Sequence, residues 1–185
     1  FTRVTYPFAV DERLIPYSWH RAGNRTFQVI PAPGHTRGQV CFYFPAEAIL
    51  LSGDHVLPGI TPNLSIDLFH PDWPPLRSFL ESLGRVKPLR VERAFPSHGE
   101  SINDLPARIG EIEAHHAQRK ELILQAVRRG SDTARQVSLD IFGEGLPEFD
   151  QYLALHETCV HLLELNKEGL LREFLSGGKK RYRSR

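Results

Sequence analysis

Three short stretches carry side chains suited to chemistry: Pro33-Gly34-His35-Thr36-Arg37-Gly38, Ser52-Gly53-Asp54-His55 and Pro96-Ser97-His98-Gly99. Each follows an apolar run, breaks at a glycine or proline, and presents an imidazole or a carboxylate. Imidazole nitrogen and carboxylate oxygen are together ligands for divalent ions, and the neighbouring glycines let backbone and ion approach closely. Taken singly each stretch is ordinary, since a His after Pro-Gly is most often a solvated turn residue and an acid after a glycine a turn or cap. The recurrence of the pattern at three strand ends makes His35, Asp54 and His98 candidate metal ligands.

The elements that must position them read as an α/β layer. Tyr17 to Arg21 and Arg25 to Ile30 flank Ala22-Gly23-Asn24 as a hairpin, and Pro31 and Pro33 stop its second arm so that His35 falls in a loop at a strand end. Gln39 to Phe44 predicts a strand. A turn at Pro45-Ala46-Glu47 leads into Ile49-Leu50-Leu51, the strand that delivers Asp54 near His35. From Leu57 to Pro75 the chain is rich in Pro, Gly, Asn and Asp and predicts a long irregular loop, a natural pocket wall. Thr61 and Asn63 in that loop are candidate substrate contacts, beside the simpler reading of hydrogen bonding within the loop. Leu76, Phe79, Leu80 and Leu83 at helical spacing predict a helix closed by Gly84, and Val91 to Phe95 a strand that ends at His98.

Beyond Gly99 the pattern turns helical. Leu105, Ile109, Ile112, His116, Ile123 and Val127 trace one face of a long helix that stops at Arg128-Arg129-Gly130. Ser131 or Asp132 is the expected cap of a second helix through Phe142, and a third runs from about Phe149 to Lys167. Leu170 to Leu175 and Lys179 to Arg183 read as two strands joined by Ser176-Gly177-Gly178. Three helices followed by a hairpin is the outline of a winged helix, with a domain boundary expected near residue 115. His116, His156, Cys159 and His161 lie on or beside apolar stripes and read as packing residues.

Bulk composition narrows the function classes. The 185 residues carry 23 Lys and Arg against 22 Asp and Glu, so no global charge calls for nucleic acid or an acidic partner. A basic tail, Lys179, Lys180, Arg181, Arg183 and Arg185, could hold an RNA backbone, but a short basic terminus is more often simply solvated. The helix that would enter a groove carries Asp150, Glu157, Glu164 and Glu168, which repel phosphate. Cys41 and Cys159 are expected to be reduced, and no apolar run approaches the ~18 residues that cross a bilayer. A cytoplasmic location is the expectation. The chain contains no methionine, including at position 1, which suggests a mature or partial chain of something longer.

In this order and separation, the three stretches resemble the later three motifs of the metallo-β-lactamase superfamily, over roughly residues 10 to 115. The resemblance implies an α/β fold, here a partial αββα metallo-β-lactamase sandwich over residues 1–115, followed by a small winged-helix domain over 116–185. The C-terminal part is similar to the winged-helix segment of the subgroup that includes the mitochondrial β-lactamase-like endoribonuclease; Ala114-His115-His116-Ala117-Gln118-Arg119 and Tyr182-Arg183 belong to that likeness. The family's first motif, His-x-His-x-Asp-His, does not occur in this chain.

What the resemblance implies for chemistry is two-metal hydrolysis. His35 would bind one zinc, His98 the second, and Asp54 would bridge the two and orient a metal-activated hydroxide that cleaves an ester, thioester or similar bond of a small-molecule substrate. His55 would donate a supporting hydrogen bond or serve the core. An endoribonuclease of the same superfamily, and a non-catalytic scaffold remnant, are the alternatives. With the first motif absent, this chain is expected to be the C-terminal portion of a longer enzyme, to hold zinc weakly and to be inactive alone. Its sheet is expected to expose an apolar face.

Overall fold

The computed structural model describes residues 13–185, so the first part of the expected domain 1–115, residues 1–12, lies outside the described residues. Five strands form one mixed sheet in the order β1-β2-β3-β4-β5: β1 (Trp19–Ala22), β2 (Arg25–Pro31), β3 (Val40–Phe44), β4 (Ile49–Gly53) and β5 (Arg93–Pro96). The β1/β2, β2/β3 and β3/β4 pairs are antiparallel, and β4/β5 is parallel. It follows that β2, β4 and β5 all point the same way. Their C-terminal ends share one rim, and the three motifs leave the sheet there.

Alternation along the strands gives the sheet one closed face and one open face. Ile30, Cys41, Tyr43, Leu50 and Ala94 are buried under α1 (Pro75–Val86) and the first half of α2 (Leu105–Arg128), against Leu76, Phe79, Leu83, Leu105, Ile109 and Ile112. A buried side chain of this size contributes about 1.5–3 kcal/mol, so this layer is what holds the rim in place. On the other face Phe27, Phe42, Phe44 and Ile49 are only partly covered, and Leu51 and Phe95 are exposed.

Helix α1 does not close at Gly84. That residue is helical and has open space around it, and the helix continues so that Val86 joins the core, with the Lys87 N–H bonding Leu83 O at 2.9 Å. Helix α3 (Ala134–Phe142) is capped by Thr133 rather than Ser131 or Asp132: Thr133 and Gln136 form a reciprocal capping box that satisfies two backbone donors at once. Helix α4 (Glu148–Lys167) and the hairpin β6 (Leu171–Ser176)/β7 (Lys179–Ser184) complete the chain.

A second buried cluster joins Ile123, Ala126 and Val127 of α2 with Val137, Leu162, Leu165, Leu171 and Tyr182. Helix α4 contributes Val160 to the first cluster and Leu162 and Leu165 to the second. Arg77 on α1 donates from Nε and Nη2 to Glu164 Oε1 at 2.9 and 2.8 Å, stitching the helical module to the sheet layer. Both cysteines are free thiols; Cys41 is fully enclosed, and burial pushes its pKa up to about 12. Among the described residues no helix is long and apolar enough to cross a membrane.

Candidate metal centre

The parallel β4/β5 pair sets Gly53 opposite Pro96, and the Ser97 N–H bonds Gly53 O at 3.1 Å, so Asp54 emerges beside Ser97 and His98. The loop after β2 brings His35 to the same place. His35 Nε2 stands 3.8 Å from Asp54 Oδ2, and His98 Nε2 stands 3.4 Å from Asp54 Oδ1. One carboxylate thus faces one imidazole with each oxygen. His35 and Asp54 are about one-third exposed at 34% and 32%, while His98 is open at 74%. Among the described residues no group of three or more His, Cys, Asp or Glu side chains converges on a single point; the arrangement is one pair on each side of Asp54.

The imidazole of His35 is oriented from behind. Its Nδ1 lies 2.7 Å from the backbone carbonyl of Asn63. A carbonyl only accepts, so Nδ1 carries a proton, and Nε2 is the nitrogen that faces Asp54. Two close packings make the loop geometry possible. A Cβ on Gly34, whose φ is +154°, would lie 2.6 Å from Phe79 Cβ, and one on Gly99, at φ +80°, would lie 2.7 Å from Pro58 Cγ. The first contact lays the His35 loop on α1, helped by Ser82 Oγ donating to Pro33 O at 2.8 Å. The second seats the His98 turn against the long loop.

Several supporting residues left no mark in the sequence pattern. Gln39, with its amide oxygen turned to the β4 turn, accepts from the backbone N–H groups of Asp54 at 3.1 Å and His55 at 2.7 Å. Ser97 Oγ donates to Asp54 Oδ1. Arg108, on α2, donates from Nε to Leu57 O at 2.7 Å and from Nη2 to Ile60 O at 2.8 Å, clamping the loop that carries Thr61 and Asn63. A glutamine beside a strand and an arginine on a helix are too common to single out without knowing what they reach. His55 takes the core position: it is fully buried, edge-on to Phe79 at 5.2 Å, and burial pulls its pKa down to about 4.

Thr61 and Asn63 line a cleft of about 150 Å³ together with Pro62, Leu64, His116, Leu153, Glu157 and His161. They are therefore brought to one wall, and Asn63 alone touches His35. Behind that wall lies a histidine cluster between α2 and α4. His116 Nδ1 is 3.1 Å from His161 Nε2, and His161 Nδ1 is 2.7 Å from the Glu157 carbonyl. The Glu157 carboxylate is held by Arg119 at 3.0 Å and faces His115 at 3.5 Å, and those neighbours keep it ionised despite its burial, with its pKa below the usual range. Burial lowers the pKa of His116 to about 3 and of His161 to about 4, so both are neutral at ordinary pH.

The family model described as the metallo-beta-lactamase superfamily matches residues 3–98. The chain is 27% identical over 166 residues to an atrochrysone carboxyl ACP thioesterase of Emericella nidulans, covering 88% of this chain and 51% of that protein. It is 29% identical to the lactamase-like protein aptB of the same organism, covering 88% of this chain and 54% of that one. Among solved structures, a beta-lactamase domain protein from Burkholderia ambifaria superposes with a TM-score of 0.88 at 30% identity, over 94% of this chain and 52% of that one. A metallo-beta-lactamase family protein from Thermus thermophilus superposes with a TM-score of 0.81 at 31% identity, over 93% and 54%. The chain spans about half the length of the curated relatives it matches.

Proposed function

The chain belongs to the metallo-beta-lactamase superfamily, and from that membership we propose that it is the portion of a metal-dependent hydrolase that carries three of its ligands, His35, Asp54 and His98. The observation that carries this reading is the convergence of two imidazoles on one carboxylate: His35 Nε2 faces Asp54 Oδ2 at 3.8 Å and His98 Nε2 faces Asp54 Oδ1 at 3.4 Å. Two ligands at 2.0–2.2 Å from one tetrahedral ion stand about 3.4 Å apart. The separations of 3.8 and 3.4 Å are too long for hydrogen bonds and close to that spacing on both sides of Asp54.

Imidazole and carboxylate suit zinc, and a bound divalent ion supplies a Lewis acid that lowers the pKa of water and polarises a carbonyl oxygen. The chain's own residues do the positioning. Asp54 gives one oxygen to each side, and Ser97 and Gln39 fix its carboxylate and its turn. Asn63 holds His35 in the tautomer that leaves Nε2 free, the arrangement by which supporting groups orient metal-binding histidines. Each side has two donors among the described residues, so the isolated chain holds zinc weakly and does not hydrolyse substrate. The remaining ligands come from the part of the protein that this chain does not span.

The substrate class we favour is a thioester of a small acyl group. The relative in Emericella nidulans is named a thioesterase, and the cleft beside His35 is walled by Pro62, Leu64 and Leu153. We assign residues 1–115 to the hydrolase domain and 116–185 to a winged-helix module that covers the cleft. RNA draws less support as a partner. Lys180 and Arg181 of the basic hairpin are paired with Glu173 at 3.0 Å and Asp132 at 2.5 Å, which leaves them less free to hold phosphate.

The test is a substrate panel on the protein as its source makes it, with acyl thioesters and single-stranded RNA, before and after zinc chelation. Thioester hydrolysis that chelation abolishes and zinc restores is expected. RNA cleavage without thioester hydrolysis would overturn the substrate assignment, and chelator-insensitive hydrolysis would overturn the metal.

A further inference from the structure

The hairpin β6/β7 sets arginine against arginine. In its antiparallel register Arg172 stands directly opposite Arg183, and Phe174 opposite Arg181, so these four share one face. Directly opposed residues have Cβ atoms about 5 Å apart, and like charges at that spacing are destabilising. The neighbouring cations are neutralised: Lys180 pairs with Glu173 at 3.0 Å and Arg181 with Asp132 at 2.5 Å. Among the described residues, no Asp or Glu lies within ion-pairing distance of Arg172, Arg183 or Arg185. Those three line one open depression together with Ser184, and no acidic or apolar residue enters the lining. Phe174 holds Arg183 on this face, with the guanidinium carbon 5.6 Å from the ring centroid. Clustered guanidinium groups without a counter-charge make an anion site, and their planar forks suit phosphate oxygens.

We propose that this depression binds the phosphate or diphosphate group of a small molecule, with Arg172 and Arg183 as its principal donors and Arg185 adding a third charge. The site stands apart from the metal centre. Arg108 clamps the rim loop near one end of α2, and Val127 packs in one cluster with Tyr182 of the hairpin near the other. About 28 Å of helix separates the two at a rise of ~1.5 Å per residue, so a phosphate held here does not touch Asp54. Nucleic acid matches this surface less well. A single strand needs a track of free cations and open aromatic faces. Here Lys180 and Arg181 are tied to carboxylates, and Phe174 is half-buried with Arg183 over its ring. A compact group of high charge fits three arginines gathered in one place.

Pyrophosphate titrated into the zinc-free chain, read by the arginine Nε–H signals in NMR, tests this without requiring turnover. Saturable binding that shifts the Arg172 and Arg183 signals and raises the urea midpoint is expected. Arg172→Gln should weaken that binding roughly tenfold, the worth of one charge-assisted contact. Without ligand the same variant should keep or raise the urea midpoint, because it relieves the repulsion across the hairpin. Lys179→Gln removes an equal charge from the same hairpin outside the depression, and it should leave the affinity within about twofold. Absence of saturable binding overturns the proposal, as does equal weakening by the two substitutions, which would mark a diffuse field in place of a site. Tighter binding of a single-stranded RNA oligonucleotide than of pyrophosphate, with a steep salt dependence, overturns the small-molecule assignment in favour of nucleic acid. With zinc withheld and no hydrolysis read, the outcome is independent of the metal and thioester assignments.

Discussion

Asn63 controls His35 through its backbone: its carbonyl accepts the 2.7 Å hydrogen bond from His35 Nδ1, while its side-chain amide turns to Ser65 Oγ at 3.2 Å. The identity of the side chain at 63 should therefore matter little to metal affinity, and the position of the loop should matter a great deal. Asn63→Ala is expected to change zinc affinity of the chain less than about threefold. Arg108→Ala, which removes two charged donors from Leu57 O and Ile60 O, should weaken it roughly tenfold or more, the usual scale for losing a supporting shell. It should also cost about 2 kcal/mol of stability by urea titration. Equal effects of the two substitutions would contradict the assignment.

The contact between Gly34 and Phe79 makes a separate prediction about the fold. Gly34→Ala places a methyl 2.6 Å from Phe79 Cβ at a φ of +154°, and neither the helix backbone nor the ring stem can give way. Overpacking and backbone strain together should cost about 3 kcal/mol, read as a fall in the urea midpoint. Gly110→Ala, inside α2 with open space around it, should be neutral or slightly stabilising.

Acid should loosen the seam between α2 and α4. His116 and His161 have folded pKa values pulled down to about 3 and about 4, chiefly by burial, from an unfolded value of 6.5. Between those limits the unfolded chain binds more protons, so stability rises with pH there. Their contribution is whole above 6.5 and is lost as pH falls toward the folded values. Each histidine should add a slope of about 1.4 kcal/mol per pH unit within that window. Denaturation midpoints measured from neutral to mildly acidic pH should show this slope, and His116→Phe should remove one histidine's share of it while His161 and His55, also pulled down to about 4 by burial, keep the rest; a flat wild-type profile would rule it out.

How much of this could be read from the chain alone depended on how local the cause was. Pro31, Pro33 and Gly34 punctuate β2 so sharply that His35 must fall at a strand end, and the direction shared by β2, β4 and β5 follows from two antiparallel connections and one helical crossover. The cap of α3 is not legible in the sequence because Ser131, Asp132 and Thr133 are all competent caps, and only the reciprocal bond to Gln136 selects the last. Arg108 reaches backbone 51 and 48 residues away, and Gln39 acts on a turn across two strands. Nothing in their neighbours' spacing marks them. His116 and His161 are buried as their apolar stripes predict, whereas His156 is only partly buried, and which ring nitrogens face each other follows only from the distances between rings.

The open face of the sheet predicts how the isolated chain behaves in solution. Phe42, Phe44, Ile49, Leu51 and Phe95 lie on a face that α1 and α2 do not cover. Such a patch favours self-association. Sedimentation of the 185-residue chain should show concentration-dependent association, and Leu51→Lys with Phe95→Lys should reduce it without lowering the urea midpoint. A monodisperse wild-type monomer would contradict the prediction.

The most direct test of the central claim is the zinc affinity of this chain and its Asp54→Ala variant, by competition against a chromophoric chelator. If Asp54 stands between two half-built sites, the wild-type chain binds zinc in the micromolar range or weaker, and the variant loses that binding. Nanomolar affinity in the isolated chain, or equal binding by the variant, would contradict the account.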